Sequence, residues 1–242
     1  GLSSRAFRDA ALVESITEVH KQNYGVYGIR KMWRVLRRQG IDIGREQTAR
    51  LMRSAGLSGK GKGEAPITTR KPNGPDHRPD LVKREFKAPG PNRLWVADIT
   101  YVRTRKGFVY TAFVTDVFSR RIVGWALSDS MRTEALPLQA LNQAIVCAKE
   151  TTGLIHHSDH GSQYVSIVYN ERLAEHGIAA STGTVGDSYD NALAENVNGS
   201  YKNELIHRRT WADVVDVEIA TFEWVNWWNE SRPVSYTHLR AH

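Results

Sequence analysis

Three carboxylates sit in contexts that suit a hard divalent cation. They are Asp98 in Trp95-Val-Ala-Asp98-Ile-Thr-Tyr101, Asp159 in His156-His-Ser-Asp159-His-Gly-Ser-Gln-Tyr164, and Glu195 in Asp190-Asn-Ala-Leu-Ala-Glu195. Sixty residues lie between the first two and thirty-five between the second two. Asp98 has Trp95, Val96, Ala97 and Ile99 around it, mid-way along a run that reads as a strand. A charge there is costly unless it is paired, protonated or metal-bound. Asp159 follows a short apolar strand at Leu154–His156, the position at which open α/β sheets place ligands. Glu195 opens a helix on which Asn191, Glu195, Asn198 and Lys202 recur at spacings of four, three and four, lining one side. Mg²⁺ takes oxygen ligands and keeps positions open for substrate phosphates. Two such ions about 3.5–4 Å apart activate a nucleophile and stabilise a leaving oxygen. The chemistry these residues suit is metal-dependent phosphoryl transfer on DNA.

Neighbouring groups have simpler roles. Asp116 is expected to fix the turn before Ser119, and Asp187 to belong to the loop before the Glu195 helix. The cluster His156, His157, Asp159 and His160 contains zinc-binding residue types. Adjacent histidines in one strand and loop point in different directions, which disfavours a tetrahedral zinc set. Trp224, Trp227 and Trp228, at helical spacing, are expected to pack the last helix onto the sheet.

The elements that must position the site divide the chain. Residues 3–20, Tyr27–Arg38 and Arg45–Ala55 read as helices from apolar residues recurring every three or four positions. In the third, Ala49 and Leu51 or Met52 are expected inside, with Arg45, Gln47, Arg50 and Arg53 outside. Helix, turn and short basic helix resemble a helix-turn-helix, whose last helix can enter a major groove. A plain three-helix bundle shows the same pattern. Residues 58–91 carry six of the eight prolines and no sustained apolar periodicity, and read as a linker. Beyond it, Leu94–Arg103, Phe108–Phe118 and Arg121–Ser128 form a meander of three strands, followed by alternating helices and short strands. The expected helices are Thr133–Lys149, Ser162–His176, Asp190–Ile206 and Trp211–Asn229, with a strand at Ile178–Ser181. The fold class is α/β, a mixed sheet covered by helices.

Charge is unevenly spread. Residues 1–91 hold 19 Lys and Arg against nine Asp and Glu, whereas residues 92–242 hold 14 against 17. The excess positive charge lies in the N-terminal third, where it supplies sequence-independent attraction to phosphates. Cys147 is the sole cysteine, which excludes an internal disulfide and a cysteine-based zinc site. No apolar run reaches the roughly 18 residues of a membrane span, and no signal-peptide pattern opens the chain. The expected location is the cytoplasm. The chain opens on Gly1 rather than Met, which fits a fragment or part of a longer product.

The stretches Pro91–Tyr101, Asp116–Trp125, His157–Tyr164 and Ser188–Glu195 together resemble the integrase-like core of IS3-family insertion-sequence transposases. Tyr24–Arg30 through Arg50–Leu57 is similar to the helix-turn-helix region upstream of that core. The resemblance covers residues 10–232. It implies a helix-turn-helix domain at 1–57, the linker at 58–91 and an RNase H-like core with a mixed five-stranded sheet at 92–232. It further implies a D,D-35-E triad on Asp98, Asp159 and Glu195 that holds two Mg²⁺ or Mn²⁺ ions. Lys202 matches a basic position that contacts terminal DNA. The implied activity is 3′-end cleavage and strand transfer of an insertion sequence, by a homo-oligomer on double-stranded DNA in the bacterial nucleoid. The implied partner is an upstream helix-turn-helix product, made as a fusion. Alternatives are a catalytically silent DNA-binding regulator and an RNase H-type nuclease. Residues 233–242 depart from the family and carry no assigned function.

Overall fold

The computed structural model describes residues 4–60, 78–83, 85–130, 135–159, 161, 163–183 and 192–232. Three helices open the chain: α1 (Ser4–Gln22), α2 (Ile29–Arg38) and α3 (Arg45–Ser54). Their apolar stripes, Leu12, Ile16 and Val19 on α1, Met32 and Leu36 on α2, and Leu51 and Met52 on α3, meet in one cluster. On α3 the third inward residue is Thr48 rather than the expected Ala49, because its hydroxyl donates to Gly44 O at 2.9 Å and so loses nothing by burial.

Five strands follow: β1 (Leu94–Thr104), β2 (Gly107–Asp116), β3 (Ile122–Ser128), β4 (Ile155–Ser158) and β5 (Ala179–Thr182). Their order is β3-β2-β1-β4-β5, with β1 to β3 antiparallel and β4 and β5 parallel to β1. The sheet is the mixed five-stranded one expected. Asp116 fixes the β2–β3 turn, accepting from Ser119 N at 2.7 Å and from Asn92 N at 2.9 Å. Between and after the short strands come α4 (Ala135–Ala148), α5 (Ile167–Glu175), α6 (Ala192–Glu204) and α7 (Val214–Glu230). Helix α5 starts later than expected, at a cap where Ser166 Oγ accepts from Tyr169 N. Asp213 caps α7 in the same way. Residues Asp187, Asp190, Asn191, His160 and 233–242 lie outside the described residues.

One face of the sheet packs against α4 and α5 through Trp95, Ala97, Ala112, Leu141 and Tyr169. There α4 crosses β3 so closely that a Cβ on Gly124 would collide with Ala140 O. The opposite face packs against α6 and α7 through Phe113, Val197, Tyr201 and Trp224. The N-terminal helices belong to this same cluster. Trp227, expected against the sheet, instead donates to Asn23 Oδ1 at 2.8 Å and meets the Tyr24 ring edge-on at 4.9 Å. Half of the expected linker is also folded onto the core. Val82 is buried with Leu94, Val96, Val117 and Ala194, and Pro79 O and Leu81 N bond to Thr182 N and Ser181 Oγ on β5. A segment poor in periodicity thus finds its partners far away in sequence.

Candidate active site

Parallel pairing of β1 with β4 turns the long sequence gap between the two aspartates into adjacency. The register places Ala97 opposite Ser158, so Asp98 and Asp159 are the next residues on neighbouring strands, whose axes run about 4.8 Å apart. Strand β4 ends there and β1 runs on. By alternation Asp98 shares a face with Leu94, Val96 and Val102, all buried. That is the face α6 covers, and Val197 and Tyr201 anchor the helix to it. Tyr201 meets the Phe113 ring edge-on at 5.0 Å, and its hydroxyl is 2.7 Å from Thr221 Oγ1. Glu195 lies in the first turn of α6 and is exposed.

Asp98 feels the charge of both other acids. Its carboxyl is pushed up to about 8, first by burial and then by the negative charges of Asp159 and Glu195. Two donors offset part of that, Ile99 N at 2.8 Å from Oδ1 and Asn198 Nδ2 at 2.8 Å from Oδ2. Asn198 shares its helix face with Glu195, one turn on, so α6 brings an acid and an amide to Asp98 together. Among the described residues, no three His, Cys, Asp or Glu side chains converge tightly enough to hold an ion between them. The arrangement is open. Its donor set is nonetheless all oxygen and crowded with like charge, which suits a hard divalent cation.

The Asp159 loop is held from two directions. Gly161 N donates to Asp159 Oδ1 at 3.0 Å, and a Cβ at Gly161 would come within 2.9 Å of that oxygen. Arg78, from the segment before the core, donates to Ser158 Oγ at 2.7 Å and to Asp159 O at 3.0 Å. Sequence reading gave Arg78 no role, since the contact spans 80 residues. Tyr164 is fully buried beside the acids, whose charges help raise its phenol well above the usual range, after burial itself.

His156 and His157 are committed elsewhere. His156 Nε2 is 2.9 Å from Tyr169 OH, and His157 Nδ1 is 3.0 Å from Ser181 Oγ. Burial pushes the His156 imidazole down to about 3, so it stays neutral. Lys202 lies over the Tyr101 ring at 4.6 Å and feels the Asp98 charge. On α3, Arg45, Arg50 and Arg53 are exposed and Gln47 is half-buried. Gln47, Arg50 and Arg53 line a groove of about 780 Å³ with Arg5, Arg8 and Asp9 of α1. Within it Asp9 accepts from Gln47 at 3.2 Å and from Arg50 at 2.8 Å.

Integrase core domain models match residues 88–188 and 176–235, and an HTH-like domain model matches residues 7–64. The chain is 50% identical over 240 residues to a putative transposase for insertion sequence element IS986/IS6110 from Mycobacterium tuberculosis, covering 97% of this chain and 86% of that protein. The chain belongs to the IS3-family insertion-sequence transposases. It is also 50% identical over 232 residues to the transposase for IS629 of Shigella sonnei, covering 95% of this chain and 77% of that one. Among solved structures, a catalytic core domain of HTLV-2 integrase in complex with magnesium aligns with 62% of this chain and 94% of its own, at 21% identity and a TM-score of 0.49. The domain models and the two transposase relatives make this core one of the integrase class, a polynucleotidyl transferase, preceded by an HTH-like region.

Proposed function

We propose that Asp98, Asp159 and Glu195 are the catalytic triad, and that they carry out 3′-end cleavage and strand transfer of an insertion sequence by a DDE mechanism. The observation that carries this reading is the β1–β4 register that makes Asp98 and Asp159 neighbours, with Asn198 of the Glu195 helix 2.8 Å from a buried Asp98 carboxyl that feels the charge of both other acids. A group so placed is relieved by a cation. Asp98 would touch both of two Mg²⁺ or Mn²⁺ ions, while Asp159 and Glu195 would each hold one. When bound, those ions supply Lewis acidity to the attacking and leaving oxygens. Binding is expected to draw the exposed Glu195 carboxylate inward.

In the first step water attacks the phosphorus at the element end. The bond from phosphorus to the 3′ oxygen breaks, and a 3′-OH and a 5′-phosphate are left. In the second step that 3′-OH attacks a target phosphodiester, exchanging one ester for another without a covalent enzyme intermediate. Asn198 holds the Asp98 carboxylate in one rotamer. Arg78 and Gly161 hold the Asp159 loop. Lys202 contacts a phosphate near the scissile bond, and Arg45, Gln47, Arg50 and Arg53 contact double-stranded DNA from α3. The working form is a homo-oligomer on the element ends, acting with an upstream product in the cytoplasm. Among the described residues no helix is long and apolar enough to cross a membrane.

The test is nicking and joining of a supercoiled plasmid carrying the element ends, in Mg²⁺ or Mn²⁺, with Asp98→Asn alongside. Metal-dependent products absent from the variant are expected. Equal products from the variant would overturn the assignment of Asp98.

A further inference from the structure

A groove of about 510 Å³ lies where the N-terminal helices meet the core. Arg30 and Lys31 come from the first turn of α2, Lys60 from the segment after α3, Asn196 and Asn203 from α6, and Arg232 from just beyond α7. Among the described residues four cations thus face one acid, Glu204, whose Oε1 is engaged by Arg232 at 2.6 Å and whose Oε2 is buried without a hydrogen-bond partner. Arg232 also donates to Ser200 Oγ at 3.2 Å and stacks over Trp228 at 3.7 Å, so its guanidinium is fixed. Its remaining terminal nitrogen, Nη1, is buried and has no hydrogen-bond partner. A buried donor on a charged group is costly to leave unpaired.

The other walls are shaped for an anion. Helix α2 begins at Gly28, which has no side-chain cap, and has no acid in its first turn. Its leading N–H groups therefore add positive potential to the groove. Gly59 crosses Gly28 so closely that a Cβ on it would fall 2.6 Å from the Gly28 Cα, and Lys60 N bonds to Val26 O at 3.3 Å. That contact places Lys60 at the groove. Lys31 is crowded, its ammonium pushed down to about 8, first by burial and then by the Arg232 charge. A phosphate seated there would pair with the exposed Arg30 and Lys60 cations and relieve the crowding of like charges.

From this groove we infer a second DNA-phosphate site, built jointly by the helical region and the core, in which the backbone of the bound duplex is gripped beside the scissile position. The inference rests on the reading above that this chain acts on DNA. Helix α6 is the shared wall. One stripe carries Glu195, Asn198 and Lys202 toward the acids, while Asn196, Ser200 and Asn203 face the groove. A helix with its side chains is about 10–12 Å across, which is about three base steps along a duplex axis at 3.4 Å each. The gripped phosphate is then about three nucleotides from the cut. Because two walls come from the helical region, DNA held there is set in register with the carboxylates.

The test is ethylation interference on an element-end duplex, with the full chain and its Asp98→Asn variant, repeated with Lys60→Glu combined with Asn203→Asp. Expected is at least one phosphate, about three nucleotides from the cleavage position, whose ethylation blocks binding by the first two proteins and no longer matters to the double variant. The salt slope of binding should also shrink by about one to two. An unchanged interference pattern and slope in the double variant would overturn the inference. Arg30→Gln with Lys60→Gln, both at exposed positions, serves if the first pair fails to fold. The footprint is read without cleavage. Loss of metal-dependent cleavage with the footprint intact therefore counts against the triad alone.

Discussion

Asp98 is costly to ionise in the folded chain, and that cost sets a pH dependence. Its folded carboxyl sits at about 8 against an ordinary 3.8, so the unfolded chain releases this proton first as pH rises. The stability Asp98 contributes is full below about 3.8 and is lost as pH climbs through about 8. A cation that binds the ionised form should restore it. Mg²⁺ is therefore expected to raise the melting temperature more at pH 8.5 than at pH 6, measured by thermal unfolding, and a pH-independent shift would contradict this. Asn198→Ala removes the 2.8 Å bond to Asp98. Loss of a partner that orients a metal ligand costs about 10–100-fold in affinity or activity, so the Mg²⁺ concentration giving half-maximal cleavage should rise while DNA binding stays. On α1, Asp9→Ala removes the acceptor shared by Arg50 and Gln47 of α3. Affinity for non-specific DNA should rise, with a steeper salt slope, if that helix meets phosphates.

At the scale of elements, the site depends on two contacts that the sequence only partly declares. The three acids stood out by type and spacing, and the Glu195 helix face with Asn198 and Lys202 was readable from its period. The β1–β4 register that makes Asp98 and Asp159 neighbours was not readable, since parallel pairing links residues 61 apart and leaves no local trace. Arg78 was hidden for the same reason, in a proline-rich stretch whose partners lie on β4 and β5. Arg78→Ala should lower cleavage without weakening DNA binding, because it frees the Asp159 loop and leaves α3 untouched; parallel loss of both would mean it serves binding. Gly124→Ala should lower stability by about 1–3 kcal/mol, as the added methyl meets Ala140 O where α4 crosses β3. Thermal or urea unfolding checks it.

Across the whole molecule, the basic N-terminal third and the near-neutral core act as one body rather than as beads on a linker. Trp227 shows why periodicity misassigned it. Helical spacing marks a residue as inward-facing but not which neighbour it faces, and here that neighbour is the Asn23 and Tyr24 corner. Truncating a buried tryptophan costs about 3–5 kcal/mol, so Trp227→Ala should split a single unfolding transition into two as the helical region detaches. Detachment should also uncouple DNA binding from cleavage, since the element-end duplex must contact both parts.

The most direct measurement is the number of Mn²⁺ ions held per chain by the protein bound to a pre-cleaved element-end duplex, for the unaltered chain, Asp98→Asn, Asp159→Asn and Glu195→Gln. Two ions for the unaltered chain, one each for Asp159→Asn and Glu195→Gln, and weakened binding at both positions for Asp98→Asn are predicted. The same two ions at the same affinity in all four proteins would contradict the account.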